Sequence, residues 1–200
     1  DSGRGGKIDR HFEYAGGIGD LLNPDALLGG LGTLALFTFH GTVFTVLKTV
    51  GDIRERARGL ALVLGVVTAV LASAFLLWTQ AAHGDDTSLV ALIVAVLALL
   101  AALAANRAGR DGRAFALSGL TVVAAVAMLF LTLFPEVMPS LLNADWSLTV
   151  TNASSTPYTL KIMTWCAGIA TPIILLYQSW TYWVFRKRIG TQHIAPDTAH

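Results

Sequence analysis

The sequence predicts an all-α integral membrane protein with five transmembrane helices. Five long apolar runs occupy most of the 200 residues, and a bilayer core needs about 20 residues of apolar helix to be crossed. Charged residues make up 14 % of the chain, against about 25 % in a typical soluble domain, and nearly all of them lie between the runs. The runs also lack the polar face of a water-soluble bundle. The predicted spans are about 24–47, 60–78, 89–106, 114–133 and 158–185.

The positions of the basic residues predict the orientation of these spans. Lys48 and three arginines follow the first run, three arginines follow the third, and Arg186-Lys187-Arg188 follow the fifth. The two intervening loops contain no Lys or Arg. Because cytoplasmic loops are the ones enriched in Lys and Arg, we expect residues 1–23 to form an extracytoplasmic loop and residues 186–200 a cytoplasmic tail.

Two of the runs and the start of the chain support further expectations. The third run consists almost entirely of Ala, Leu and Val, which is typical of a lipid-facing wall. The fifth is longer than a bilayer core requires and contains Pro172, so we expect this helix to tilt or bend. The chain begins without Met in a polar, glycine-rich segment, and we expect it to be the C-terminal part of a longer polypeptide.

The composition excludes several functional classes. A net charge of +1 gives no reason to expect nucleic-acid binding. The single cysteine, Cys166, lies inside the fifth run, which rules out an internal disulfide or a cysteine-based metal site. No nucleophile–histidine–acid set, phosphate-binding glycine loop or metal-ligand spacing is evident. We therefore predict no catalytic, cofactor-binding or metal-binding residue in this chain.

His40 is the residue in the spans with the greatest chemical potential. Ionisable residues inside membrane helices are rare and often functional, so His40 could ligate a haem iron or relay a proton. It could equally be a neutral histidine that is hydrogen-bonded to a facing helix. A haem with two histidine ligands needs a second membrane histidine, and none lies in the predicted spans. The packing interpretation is therefore favoured.

A dense run of alternating charges follows the first span, from Lys48 to Arg56. Such a run is explained by topology and local salt bridges, which individually contribute little. Alternatively, this run could contact a partner subunit or form a cytoplasmic entry for protons.

Three stretches carry a family resemblance. Residues 21–57 contain LLNPDALLGGL, then HG, LKT and RERA; residues 152–165 read NASSTPYTLKIMTW; residues 172–188 read PIILLYQSWTYWVFRKR. These stretches resemble subunit II of the cytochrome bd quinol oxidases. The resemblance extends from about Phe12 to Arg188, with the third and fourth runs similar only in hydrophobic character.

The resemblance implies a function for the complex. Such an oxidase oxidises quinol, reduces dioxygen to water and generates a proton gradient in the bacterial cytoplasmic membrane. Subunit I holds two b-type haems and haem d, whereas subunit II ligates no haem. Quinone is then the substrate or a structural lipid, membrane lipid surrounds the complex, and small accessory single-span subunits are further expected partners.

The resemblance also implies an architecture and a role for this chain. Subunit II has nine spans in two pseudo-symmetric four-helix bundles plus a peripheral helix, and the five spans here correspond to one bundle plus that helix. This portion would scaffold the haem-bearing subunit. We expect five polar positions to hold the assembly together: His40, Lys48, Arg54, Arg56 and Lys161.

The alternative is the C-terminal part of a secondary membrane transporter. Substrate sites at the middle of the membrane require broken helices or intramembrane charges. The glycines between Gly29 and Gly32, together with Pro172, could interrupt helices, but no charged residue accompanies them.

Overall fold

The computed structural model describes residues 24–138 and 147–188. The predicted loop 1–23 and the tail beyond residue 188 lie outside the described residues. Five long helices and one short hairpin make up the described part. The helices are α1 (Pro24–Lys48), α2 (Gly51–His83), α3 (Asp86–Arg107), α4 (Asp111–Leu133) and α5 (Pro157–Val184), and the strands are β1 (Glu136–Met138) and β2 (Leu148–Thr149).

All five helices are long and apolar enough to cross a membrane, which confirms the predicted all-α membrane class. The largest departure from the predicted spans is at α2, which begins at Gly51 rather than Leu60. Asp52 lies in its first turn, where a negative charge favours the helix dipole. The residues that follow include Arg and Glu, which form helices well. Hydropathy marks the apolar part of a helix and does not detect such a polar extension.

Helices α1 to α4 form a four-helix bundle with two apolar cores. Each core contains residues from all four helices. The basic-end core, near the arginine-rich turns, consists of Phe39, Val43, Val46, Ala57, Ala61, Leu99, Ala102, Ala105 and Ala114. The far-end core consists of Leu36, Leu76, Leu92, Ala95, Ala124, Ala125 and Met128.

Helix α3 is not the lipid-facing wall that its composition suggested. Of the five helices it has the largest buried share, 39 % of its most apolar stretch. Ala95, Ala98 and Ala102 lie on its buried face, and such small side chains allow neighbouring helices to approach closely in lipid. Its larger residues Val90 and Leu97 are exposed on the other side. One face of α3 is therefore buried in the bundle, and only the other face is left exposed.

Helix α5 lies at the periphery of this bundle. It is one continuous helix through Pro172, and none of its residues is buried. Its N-terminus is well formed, since Pro157 occupies the first turn and the Thr156 side chain accepts a hydrogen bond from the Thr159 amide. The described helices thus form a four-helix bundle plus one peripheral helix.

The hairpin between α4 and α5 is antiparallel, with Glu136 opposite Thr149. Asn152 supports the turn after β2: its side-chain carbonyl accepts from the Thr149 amide at 2.6 Å, and its amide nitrogen donates to the Ser147 carbonyl at 3.0 Å. This ordered turn leads directly into α5.

Candidate functional site

His40 lies half-buried in the middle of α1 and faces α4. Its Nδ1 is 2.8 Å from the Ser118 hydroxyl, and its ring stacks on Phe115 with centroids 4.8 Å apart. Gly119 lies beside the ring, and a Cβ there would be in ordinary van der Waals contact with His40 Cε1, at 3.7 Å. The imidazole is thus held by one hydrogen bond and one stacking contact between two helices of the bundle.

The densest polar site lies at the basic end, where Asp111 accepts hydrogen bonds from three arginines. Arg54 donates from Nε at 3.1 Å and also from Nη2 to Oδ2. Arg58 donates to Oδ1 at 2.9 Å, and Arg188 donates to Oδ2 at 3.3 Å. The Asp111 side chain is 2 % exposed, whereas the arginine side chains are 27–38 % exposed. We call these four residues the arginine cluster.

Local geometry at two turns brings the cluster together. Arg54 and Arg58 are four residues apart on α2 and so share one face. Asp111 is the first residue of α4, immediately after a turn in which Gly109 has φ +73°. Gly51, just before the arginines of α2, has φ +67°. Residues with a Cβ rarely adopt this conformation, so the two glycines allow the tight turns that position both sides of the cluster.

The same end of the molecule attaches α5 to the bundle. Lys48 Nζ donates to the Phe185 carbonyl at 2.7 Å, at the C-terminus of α5, where a cation is favoured. Phe44 contacts Tyr182 edge to face, with centroids 6.2 Å apart. Together with the Arg188–Asp111 pair, these contacts join the last turn of α5 to α1 and α4.

The structure brings together only some of the predicted polar positions. Arg54 belongs to the arginine cluster. Lys48 contacts the C-terminus of α5, and His40 lies further along α1, against α4. Arg56 and Lys161 are exposed, and neither forms a hydrogen bond or ion pair within residues 24–138 and 147–188. An assembly role for these five positions stays a prediction.

The sequence did not reveal that Asp111, Arg58 and Arg188 belong to one cluster. The one available signal was a single acid inside the run Arg110-Asp111-Gly112-Arg113, where topology alone would favour only basic residues. Its partners are 53 to 77 residues away along the chain. Spacing therefore could not identify them.

A polar network of a different kind closes the far end of the bundle. Asp85 caps α3 by accepting from the Ser88 amide at 2.8 Å, and the Ser88 hydroxyl donates to the Gln80 side chain at 2.9 Å. The Ser88 amide and then the Thr87 hydroxyl lower the pKa of Asp85 below its usual value. These interactions fix the turn between α2 and α3.

Metal-ligating side chains are scattered over the described residues, 24–138 and 147–188, and do not form a cluster of three or more His, Cys, Asp or Glu that could hold a metal. The cavity lined by Leu36, Phe75, Leu76 and Leu129 has a volume of about 40 Å³, which is far smaller than an ordinary cofactor pocket of about 300 Å³ or more. His40 lies elsewhere and has Ser118 as its partner.

These features define a multi-pass, all-α membrane protein in which polar side chains connect helices. The sequence model of the family described as cytochrome bd terminal oxidase subunit II matches residues 3–185. The chain belongs to this family.

Individual relatives agree with the family match. The chain is 38 % identical over 201 residues to the cytochrome bd ubiquinol oxidase subunit 2 of Bacillus subtilis (strain 168), covering 98 % of this chain and 59 % of that protein. It is 30 % identical over 219 residues to the cytochrome bd-I ubiquinol oxidase subunit 2 of Escherichia coli (strain K12), covering 92 % and 58 %. It therefore spans less than two thirds of the length of these curated relatives. The family match does not support the transporter alternative.

Proposed function

We propose that this chain is part of the non-haem-ligating subunit of a cytochrome bd-type terminal oxidase. The complex would oxidise quinol, reduce dioxygen to water and generate a proton gradient. The observation that carries this proposal is the family match over residues 3–185, supported by relatives named as ubiquinol oxidase subunits. The chain is then a component of a quinol:oxygen oxidoreductase, with no active site of its own.

The geometry supports a scaffolding role within that complex. The cavity between α1, α2 and α4 is too small for a haem, and the two b-type haems and haem d would belong to subunit I. The interior of the bundle is filled by two apolar cores, and its polar contacts join one helix to another. Most large apolar residues of α5 are exposed, which leaves this helix free to contact lipid, quinone or protein. Five polar positions are the proposed assembly contacts: His40, Lys48, Arg54, Arg56 and Lys161.

The proposal includes an orientation in the bacterial cytoplasmic membrane. The arginine cluster, Lys48 and residues 186–188 all lie at one end of the structure, and Lys- and Arg-rich segments face the cytoplasm. That end, with the C-terminus, would be cytoplasmic. In the complete subunit, a second four-helix bundle would give nine spans in total.

Optical spectroscopy of the purified complex tests the proposed function. The complex is isolated through a tag after residue 200, and its reduced-minus-oxidised spectrum is recorded, with a mock purification from an untagged strain as the control. We expect haem d and b-type signals together with a co-purified subunit I, and an accessory subunit would appear as a further small protein. A colourless preparation that retains a partner would contradict the oxidase.

Cysteine labelling tests the orientation separately. In a Cys166→Ser background, Lys187→Cys and Glu136→Cys place single thiols at the two ends of the structure. We expect a membrane-impermeant maleimide to label position 136 in intact spheroplasts and position 187 only after permeabilisation. The reverse pattern would overturn the proposed topology without bearing on the oxidase activity.

A further inference from the structure

The arginine cluster carries unbalanced positive charge. Three guanidinium groups contact one carboxylate, which leaves two positive charges without a counter-charge. Asp52 and Glu55 lie on the same stretch of α2 but are exposed, and in the described ranges neither forms an ion pair with the cluster. The charge excess is therefore a property of the cluster as it is folded.

Most of the acceptor capacity of the carboxylate is already used, since three N–H groups donate to Oδ2 and one to Oδ1. An ionised carboxylate offers about four acceptor positions, and four N–H groups of the three arginines already donate to Asp111. Arg58 Nε is buried and has no acceptor among the described residues. The partly exposed guanidinium groups also carry N–H groups beyond the four that donate to Asp111, and these suit another anion.

The surroundings of the cluster are those of a lipid headgroup region. Tyr182 and Trp183 lie just before Arg188 in the chain, and such residues favour the membrane interface. Arg186 lies 4.6 Å from the centroid of the Trp183 ring. No residue of α5 is buried against the bundle, so the surface of α5 that leads up to the cluster is available to acyl chains.

We propose that the arginine cluster binds the phosphate of an anionic phospholipid, whose acyl chains lie along α5 beside the bundle. A phosphodiester supplies the missing negative charge and acceptor oxygens, and guanidinium groups are well suited to bind it. Basic pockets between membrane helices bind anionic headgroups for the same reason. The lipid would reinforce the attachment of α5, which rests on few direct contacts. This proposal does not depend on the oxidase activity.

Native mass spectrometry of the detergent-purified complex tests the site. The complex is titrated with phosphatidylglycerol, and with phosphatidylcholine as the lipid without net charge. Arg188→Gln is compared with Lys187→Gln, which removes the same charge from an adjacent exposed residue that has no contact in the described structure. A charge-assisted hydrogen bond between a guanidinium group and a phosphate contributes about tenfold to binding. We expect Arg188→Gln to weaken phosphatidylglycerol binding by about that factor, with a much smaller effect for Lys187→Gln.

Asp111→Asn distinguishes lipid binding from a purely structural role. It keeps the side-chain shape but removes the negative charge, so it should tighten phosphatidylglycerol binding while it destabilises the fold. Equal weakening by Asp111→Asn and Arg188→Gln would overturn the proposal, because both changes would then act only through the fold. The spectrum of each variant shows whether the complex remains intact.

Three further results would also overturn it. Equal binding of the two lipids would show that charge is not recognised. Saturation by inorganic phosphate at micromolar concentrations, with no lipid retained, would identify a free anion as the ligand. Loss of a protein subunit from Arg188→Gln, with lipid binding unchanged, would show that a protein carboxylate occupies the cluster.

Discussion

The two cores of the bundle differ in the polar contacts beside them and in the space left between their side chains. At the basic end Gly65 lies directly against Leu103 and Phe39, with no space for a methyl group, and a charged cluster joins α2, α4 and the segment after α5. At the far end the core leaves a cavity of about 40 Å³, and neutral or capping interactions close the turn. Gly29 at the far end is as confined as Gly65, since a Cβ there would lie 2.8 Å from Phe75 Cε2. The two ends therefore differ in their ionic contacts and in the cavity, and not in whether tight contacts occur.

The largest expected loss of stability is at the arginine cluster, because removing one partner of a buried ion pair leaves the other charges without a partner. Asp111→Ala leaves three arginines facing one another and should lower the free energy of unfolding by about 3 kcal/mol. Asp52→Ala, which removes an exposed acid from α2, should cost less than about 1 kcal/mol. Equilibrium unfolding in mixed micelles measures both. Equal losses of stability from the two substitutions would mean that the arginine cluster does not stabilise the basic end.

A second experiment makes the same substitution in both cores. Gly65→Ala places a Cβ 2.9 Å from Phe39 Cε2, and Phe39 is fully buried. Such overpacking should cost about 1–3 kcal/mol. Gly32→Ala places its Cβ 3.6 Å from Ala72 Cα, at the wall of the far-end cavity. Here the methyl group fills space and favours the helix, so stability should rise by up to about 1 kcal/mol.

The unfolding measurement for this pair includes Gly59→Ala as the control. Gly59 lies on α2, and a Cβ at this position would have no atom within 4 Å, so its substitution reports helix propensity alone. Opposite signs for Gly65→Ala and Gly32→Ala are the expected result. Two changes of the same sign would contradict the contrast between a confined glycine, Gly65, and a glycine beside a cavity, Gly32.

His40 connects α1 with α4 beside the basic-end core, against which its stacking partner Phe115 packs. His40→Ala removes the hydrogen bond to Ser118 and the stacking on Phe115, and should cost about 1–2 kcal/mol. Ser118→Ala removes the hydrogen bond alone and should cost about 0.6 kcal/mol. We expect less assembled complex from His40→Ala, with near-normal turnover per haem. Collapse of turnover with intact haem content would instead show a direct functional role.

The smallest expected effect is a loss of stability at acid pH, which arises at the far end of the bundle. Since hydrogen bonds lower the pKa of Asp85 in the folded protein, the unfolded chain binds more protons in the acid range, and stability falls as pH drops. The stabilisation by ionised Asp85 is complete above the ordinary pKa of about 3.9. It is lost as pH falls through the lower pKa that Asp85 has in the folded protein. Asp85→Asn keeps a good helix cap but should flatten this acid dependence of the melting temperature. An unchanged pH profile would show that the ionisation of Asp85 does not contribute to the acid dependence of stability.

Sequence alone determined the class of the protein, because helix length and hydropathy are local properties. It also placed Lys48, Arg54 and residues 186–188 at one end, since charge distribution follows membrane topology. The family resemblance added a functional hypothesis, and the family match confirmed membership.

Only the tertiary structure decided which polar groups meet and which helix faces are buried. Asp111 and Arg54 are 57 residues apart, and His40 and Ser118 are 78 apart, so no local pattern indicates either pair. Helix α3 is apolar on all sides, and its hydropathy therefore could not show that the alanine face is the one in contact with α4. In lipid the exposed and buried faces of a helix are almost equally apolar, and the choice between them depends on how closely the side chains allow two helices to approach.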